Sequence, residues 1–229
     1  MKQRSSAAGM GRENMSKASH IEKRRAAARV NGDPEYMQRR AELIEVAARV
    51  FRRKGFPAAK LQDIAEEAGI DRASLYYYTS GKEELFEDVV GEAVRANVSD
   101  VETLAAEDMP ADEKLMQFIE RLMSSYARHY PYLFVFVQEN MSHMTDESKW
   151  SEEMVQLVRR FDNAVRKIIQ QGMDDGLFAS DGDARLIANG IIGICNWSYR
   201  WFNPERGDDG AAVGRIFGNL VLDGLRARA

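Results

Sequence analysis

From Pro34 onward the apolar positions recur three and four residues apart. Leu43, Val46, Ala47, Val50 and Phe51 fall on one face of a helix that Lys54-Gly55 ends. The turn signal Asn31-Gly32-Asp33-Pro34 precedes it, with the proline at a first-turn position. A second, short helix is predicted over 61–67 and stops at Ala68-Gly69. Asp71 caps a third over 72–78, and Ser80-Gly81 breaks the chain before a long helix opens at Lys82. The same period continues through predicted helices 82–106, 111–129, 131–143, 148–173, 183–202 and 209–227. Met109-Pro110, Tyr130-Pro131, the stretch 172–182 and the stretch 203–210 punctuate them. No alternation of period two appears, so the fold class is all-α with about nine helices.

The two short helices joined by a glycine-bearing turn form a helix-turn-helix. Three segments are therefore expected: a disordered basic arm over 1–33, a three-helix DNA-binding domain over 34–81, and a larger ligand-binding and dimerisation domain over 82–229. Arg24, Arg25 and Arg29 of the arm either assist DNA binding or form a solvated tail.

Charge supports this division. The net charge of −4 is unevenly spread: residues 1–82 hold 17 Lys+Arg against 10 Asp+Glu, and residues 83–229 hold 15 against 26. One end suits phosphates and the other does not. No apolar run reaches membrane-span length, and the N-terminus lacks a secretory core, so a cytoplasmic protein is expected. The single cysteine, Cys195, lies in an apolar run and excludes internal disulfides. His20, His129 and His143 lack metal-ligand spacing, and the acidic clusters near Asp174 and Asp181 read as helix caps rather than calcium loops. No enzyme, metal or cofactor is therefore expected.

In the segment 55–78, Leu61, Ile64, Ala65 and Ala68 form the inner stripe of the first short helix, Gly69 permits the turn, and Ile70 and Leu75 seal the pair. Arg72, Ser74, Tyr76, Tyr77 and Tyr78 are left on a short helix that cannot bury so many aromatics. A major groove gives them partners: phosphates for the phenols, thymine methyls for the rings, guanine O6 and N7 for Arg72. Lys82 adds charge at a helix N-terminus, where backbone amides also face a phosphate. Over about residues 40–88 the chain closely resembles the TetR family of repressors. That resemblance implies base reading by Arg72, Ser74 and Tyr77, and phosphate contacts by Tyr76, Tyr78 and Lys82. Two positions depart from the family pattern. Lys60, a phosphate ligand in reach but not a cap, replaces the usual Thr, and Thr79 replaces the usual Phe.

The helix near 183–202 is apolar nearly all round, from Leu186 to Trp201, and Gly190 and Gly193 admit close approach, so burial on two sides is expected, one against the domain's own core and the other against a partner subunit, the alternative being closure of a monomeric core. The last helix repeats this with Val213, Ile216, Phe217, Leu220 and Val221. In the TetR family the last two helices form a dimeric four-helix bundle; the resemblance thus implies a homodimer on double-stranded DNA. Methionines and aromatics of the middle helices suit either a plastic apolar cavity or an ordinary core. The candidate ligand-binding residues are Met123, Tyr126, Phe134, Met141, Trp197, Arg200 and Trp201. Arg200 either stacks on Trp197 one turn back or meets an anion, and the motif around it resembles TetR-family regulators of lipid catabolism, which implies an acyl-CoA-type effector. The expected function is a ligand-released repressor on a palindromic operator; the alternative is an activator or architectural DNA binder without an effector.

Overall fold

The computed structural model describes residues 32–138, 149–179 and 181–226. The predicted arm, with Arg24, Arg25 and Arg29, lies outside them, as do Met141 and the end of the helix expected over 131–143.

Nine α-helices make up the described chain: α1 (Pro34–Lys54), α2 (Leu61–Glu67), α3 (Arg72–Tyr78), α4 (Lys82–Ala106), α5 (Ala111–Arg128), α6 (Tyr132–Gln138), α7 (Lys149–Asp174), α8 (Ala184–Trp197) and α9 (Gly210–Leu225). No strand occurs among the described residues, only one isolated bridge between Phe178 and Arg226. No described helix is long and apolar enough to cross a membrane.

The chain divides into two compact units, and the division falls inside α4, between Val89 and Val90. In the first, Asp33 accepts the Glu35 and Tyr36 amides and Pro34 opens α1; Gly55, at φ 76°, ends it. The stripe Leu43, Val46, Ala47, Val50 and Phe51 is buried as expected. The first turns of α4 belong to this core: Phe86 lies 5.7 Å from Phe51 and 4.6 Å from Phe56, ring centre to ring centre. Arg40, nearly buried, pairs with Asp88 and, at 3.6 Å, with Glu84. Those ion pairs bind α1 to α4, where a lone guanidinium would be costly.

The second unit packs α5 against α9 along a row of glycines. A Cβ on Gly214 would sit 2.6 Å from the Glu120 Cα; on Gly210 it would strike the Met123 carbonyl, and on Gly218 the Met116 sulfur. Only glycine allows these helices to lie so close. Lys114 is buried at the other edge of α5, where its ammonium donates to the Ala105 carbonyl at 3.1 Å and the Gln171 side chain at 2.9 Å.

The helix predicted over 183–202 is shorter than expected. Buried Ser198 donates to the Cys195 carbonyl at 2.6 Å and the chain tightens into a 3₁₀ turn over Ser198–Arg200. A hydroxyl that captures a carbonyl of the preceding turn takes an acceptor from the helix. Nor is α8 buried on both sides within the chain: Leu186, Ile194 and Trp197 are exposed, and Gly190 and Gly193 face open space.

Candidate nucleic-acid interface and ligand cavity

The turn between α2 and α3 is built by backbone bonds. Gly69 at φ 66° places the Ile70 amide on the Ala65 carbonyl at 3.0 Å and its own amide on that of Glu66 at 3.2 Å, a Schellman closure. Ile64, Ala65 and Leu75 are buried beneath it. Lys60 precedes α2 without accepting any amide, as expected. The reciprocal half of the cap is present, since Asp63 accepts the Lys60 amide at 2.9 Å. The Asp63 carboxyl also holds Lys54 at 2.8 Å, which with the amide keeps it below the ordinary carboxylate range. Glu67 likewise accepts from Arg53 at 2.5 Å and lies 3.4 Å from Arg49. These pairs neutralise much of the basic end of α1. Lys60 is exposed and has no ion pair among the described residues.

On α3, Asp71 accepts both the amide of Ser74, at 2.9 Å, and its hydroxyl, at 2.6 Å. The Ser74 hydroxyl proton is thus engaged and its lone pairs remain to accept. Arg72 donates to the Tyr76 hydroxyl at 3.0 Å and lies over that ring. Arg72 and Ser74 are exposed; Tyr76, Tyr77 and Tyr78 are half-buried rather than fully outward. The reason is Tyr36 of α1, which sequence reasoning missed: its buried ring stacks on Tyr78 at 5.3 Å and meets Tyr77 edge-on at 5.5 Å. Burial in this cluster, and Tyr77 beside it, raise the Tyr78 phenol above its ordinary pKa.

The structure gives Lys82 different surroundings from those expected of a phosphate contact. Its ammonium is turned inward: it donates to the Phe56, Pro57 and Ala59 carbonyls at 2.9, 3.2 and 3.2 Å and covers the Phe56 ring. All three donors of the ammonium are engaged, so it clamps the loop before α2 instead of presenting charge outward. Thr79, where the family pattern has Phe, is fully buried and donates to the Gly81 carbonyl at 2.7 Å. It anchors the end of α3 by hydrogen bonding where a ring would do so by packing.

The second unit contains a cavity of about 310 Å³ that opens to solvent. Val94, Asn97 and Val98 of α4, Leu122 and Tyr126 of α5, Leu133 and Phe136 of α6, Val158, Phe161 and Asp162 of α7, and Ile192 and Asn196 of α8 face it. The Tyr126 hydroxyl donates to the Asn196 side-chain oxygen at 2.5 Å, and burial raises the phenol pKa strongly.

Of the described candidate ligand residues only Tyr126 lines this space. Met123 and Phe134 are buried behind it, Phe134 with its ring 5.2 Å from that of Tyr126. Met141 lies outside the described residues. Trp197, Arg200 and Trp201 are exposed, and the Arg200 guanidinium stacks on Trp197 at 5.1 Å. Arg200 therefore satisfies itself on an aromatic face, and the two tryptophans join Leu186, Ile194, Ile216 and Leu220 as exposed apolar groups of α8, its 3₁₀ extension and α9. The described wall is branched and aromatic rather than methionine-rich. Cys195, with its thiol pushed up to about 12 by burial, is chemically quiet. No cluster of metal-ligating side chains occurs among the described residues.

Comparison with known proteins gives a consistent picture. Residues 43–89 match the family described as bacterial regulatory proteins, tetR family, and residues 108–225 match the tetracyclin repressor-like C-terminal domain. The HTH-type transcriptional repressor KstR2 of Mycobacterium tuberculosis is 26% identical over 212 residues, covering 88% of this chain and 96% of its own. The solved ketosteroid transcriptional regulator KstR2 of the same organism superposes with a TM-score of 0.74 at 23% identity, covering 83% of this chain and 96% of that one. The regulator PfmR of Thermus thermophilus superposes with a TM-score of 0.67 at 27% identity, over 81% of this chain and 99% of that one.

Proposed function

This chain belongs to the TetR family of transcription regulators, and on that premise we propose that it is a ligand-responsive repressor: a homodimer that holds a palindromic operator through α3 and releases it when a small lipophilic effector fills the cavity of the second unit.

The observation that carries this reading is the construction of α3. Its inner side is sealed by Leu75 and its start is fixed by Asp71, which leaves Arg72 and Ser74 exposed on a helix held in one orientation. Arg72 supplies the bidentate donor that guanine accepts, and Ser74, its proton held by Asp71, accepts from adenine N6 or cytosine N4. Tyr76 and Tyr77 present aromatic edges to methyls and phosphates; Tyr78 serves more as an anchor. Lys60 contributes unpaired positive charge beside the backbone, a role in which it replaces Lys82.

The exposed apolar side chains of α8 and α9 support dimerisation in this reading, because apolar surface of this kind on a regulator needs a partner and two half-sites need two readers. The lipophilic character of the effector is supported by the cavity wall and by relatives such as the ketosteroid regulator. The acyl-CoA form of the expectation rests on Arg200, which does not line the cavity, so we propose the lipophilic body and not the anion as the recognised part.

Release follows from linkage. An effector that fits one conformer better shifts the population by its differential affinity, and the operator affinity changes by the same factor. One uninterrupted helix, α4, contributes Phe86 to the core of the first unit and Val94, Asn97 and Val98 to the cavity wall of the second, which makes it the lever of this proposal.

The test is a gel shift on the promoter region beside the protein's own gene. Arg72→Ala is expected to lose about 1–3 kcal/mol of discrimination at a guanine position. Lys60→Ala is expected to weaken all sequences alike and to lower the salt slope by about one. Retention of full sequence discrimination in Arg72→Ala would overturn the assignment of α3.

A further inference from the structure

The cavity contains one charged group and no described partner for it. Asp162 of α7 lines the wall, half-buried, and among the described residues forms neither a hydrogen bond nor an ion pair. Phe161, Val158 and Ile192 share the lining with it, and the other polar side chains there are Asn97, Asn196 and Tyr126. The Tyr126 hydroxyl is already committed to Asn196. Burial alone displaces the Asp162 carboxyl, which it holds above the ordinary carboxylate range. No cation stands in opposition to it among the described residues of the wall.

No lysine or arginine lines the described wall. The body that surrounds the cavity is acidic as a whole, 15 Lys+Arg against 26 Asp+Glu over residues 83–229. An anionic head would thus enter a space with an unpaired carboxylate and, among the described residues, no counter-charge, where a partly desolvated repulsion is stronger than in water.

We propose that the cavity takes a lipophilic cation, an amine or ammonium group on an apolar body, with the charged nitrogen seated on Asp162. This rests on the reading of the cavity as the effector site and names the class of effector. The apolar body lies against Leu122, Phe136 and Phe161, and the ammonium supplies the donors that the carboxylate lacks. A charge-assisted hydrogen bond in this setting gives the head group its selectivity.

The experiment is calorimetry on the full chain with decylamine, decanol and decanoate below their micellar concentrations, three probes of one body and three charges. The amine is expected to bind about tenfold more tightly than the alcohol, as one charge-assisted bond implies, and the acid more weakly than the alcohol. In Asp162→Asn the amine and the alcohol should converge. Val158→Trp and, as a second cavity-filling variant, Ile192→Trp, each checked for native helix content, should lose all three. The inference is overturned if decanoate matches decylamine, if Asp162→Asn keeps the amine preference, or if both filled variants still bind. The outcomes separate the two readings. Binding that the filled variants abolish but that shows no charge order leaves the effector site standing and removes the cation. Absence of binding by all three probes removes both.

Discussion

In the unit that ends at Val89, several charges that could face outward are turned to partners within the unit. Arg40 meets Asp88 and Glu84, Arg53 meets Glu67, Lys54 meets Asp63, and Lys82 meets three carbonyls. In the unit that begins at Val90, Asp162 faces a cavity of about 310 Å³ without a described partner, and a row of apolar side chains on α8 and α9 stays exposed. The first unit uses its polar groups to hold one geometry, which a reader of base edges requires. The second leaves polar and apolar groups unsatisfied, and a surface left unsatisfied is one that a ligand or another copy can satisfy.

The sharpest way to break this contrast is Phe86→Ala. Loss of a ring packed between Phe51 and Phe56 should cost about 3–5 kcal/mol. In a calorimetric scan the first unit should melt earlier and operator binding should fall, while the melting of the second unit and probe binding in its cavity persist. One common transition shifted as a whole would show that the units are not separate in stability. A smaller effect is expected from Lys82→Met, which strips three carbonyls of a charged donor and should destabilise the first unit by about 2 kcal/mol. Its salt slope for DNA should stay that of the wild type, and a slope reduced by about one would return Lys82 to the phosphates. The smallest effect has the opposite sign. Asp162→Asn should raise the melting temperature at neutral pH by a few degrees at most, because it removes a half-buried carboxylate without a partner. The folded carboxyl has the raised pKa, so the native state holds the proton more tightly than the unfolded chain does. Wild-type stability therefore gains as pH falls through that value, and the variant should lose this gain.

Helix limits in the first unit are legible because each is marked locally: Asp33-Pro34 and Gly55 around α1, Gly69 after α2, Asp71 before α3. The choice of partner for a long side chain is not marked in this way. Lys82 reaches back to Phe56, and Arg40 forward to Asp88, across stretches in which sequence offers many equally basic and acidic candidates. Tyr36 escapes a sequence reading for the same reason, since its three-ring cluster exists only once α1 and α3 are packed. In the second unit the aromatic run around Arg200 is a strong signal that the fold resolves by self-stacking on the outside. Asp162 gives no signal at all, because an aspartate amid polar helix positions reads as surface until Val158 and Phe161 are seen to turn the same way.

Three absent methyl groups have a mechanical consequence. With Gly210 and Gly214 laid directly on the α5 backbone, and only the Met116 side chain against Gly218, the two helices have little flexible material between them to absorb a displacement. In the homodimer proposed above, swelling at Leu122 or Tyr126 would pass through this contact to Ile216 and Leu220, exposed on α9, and so alter how two copies meet.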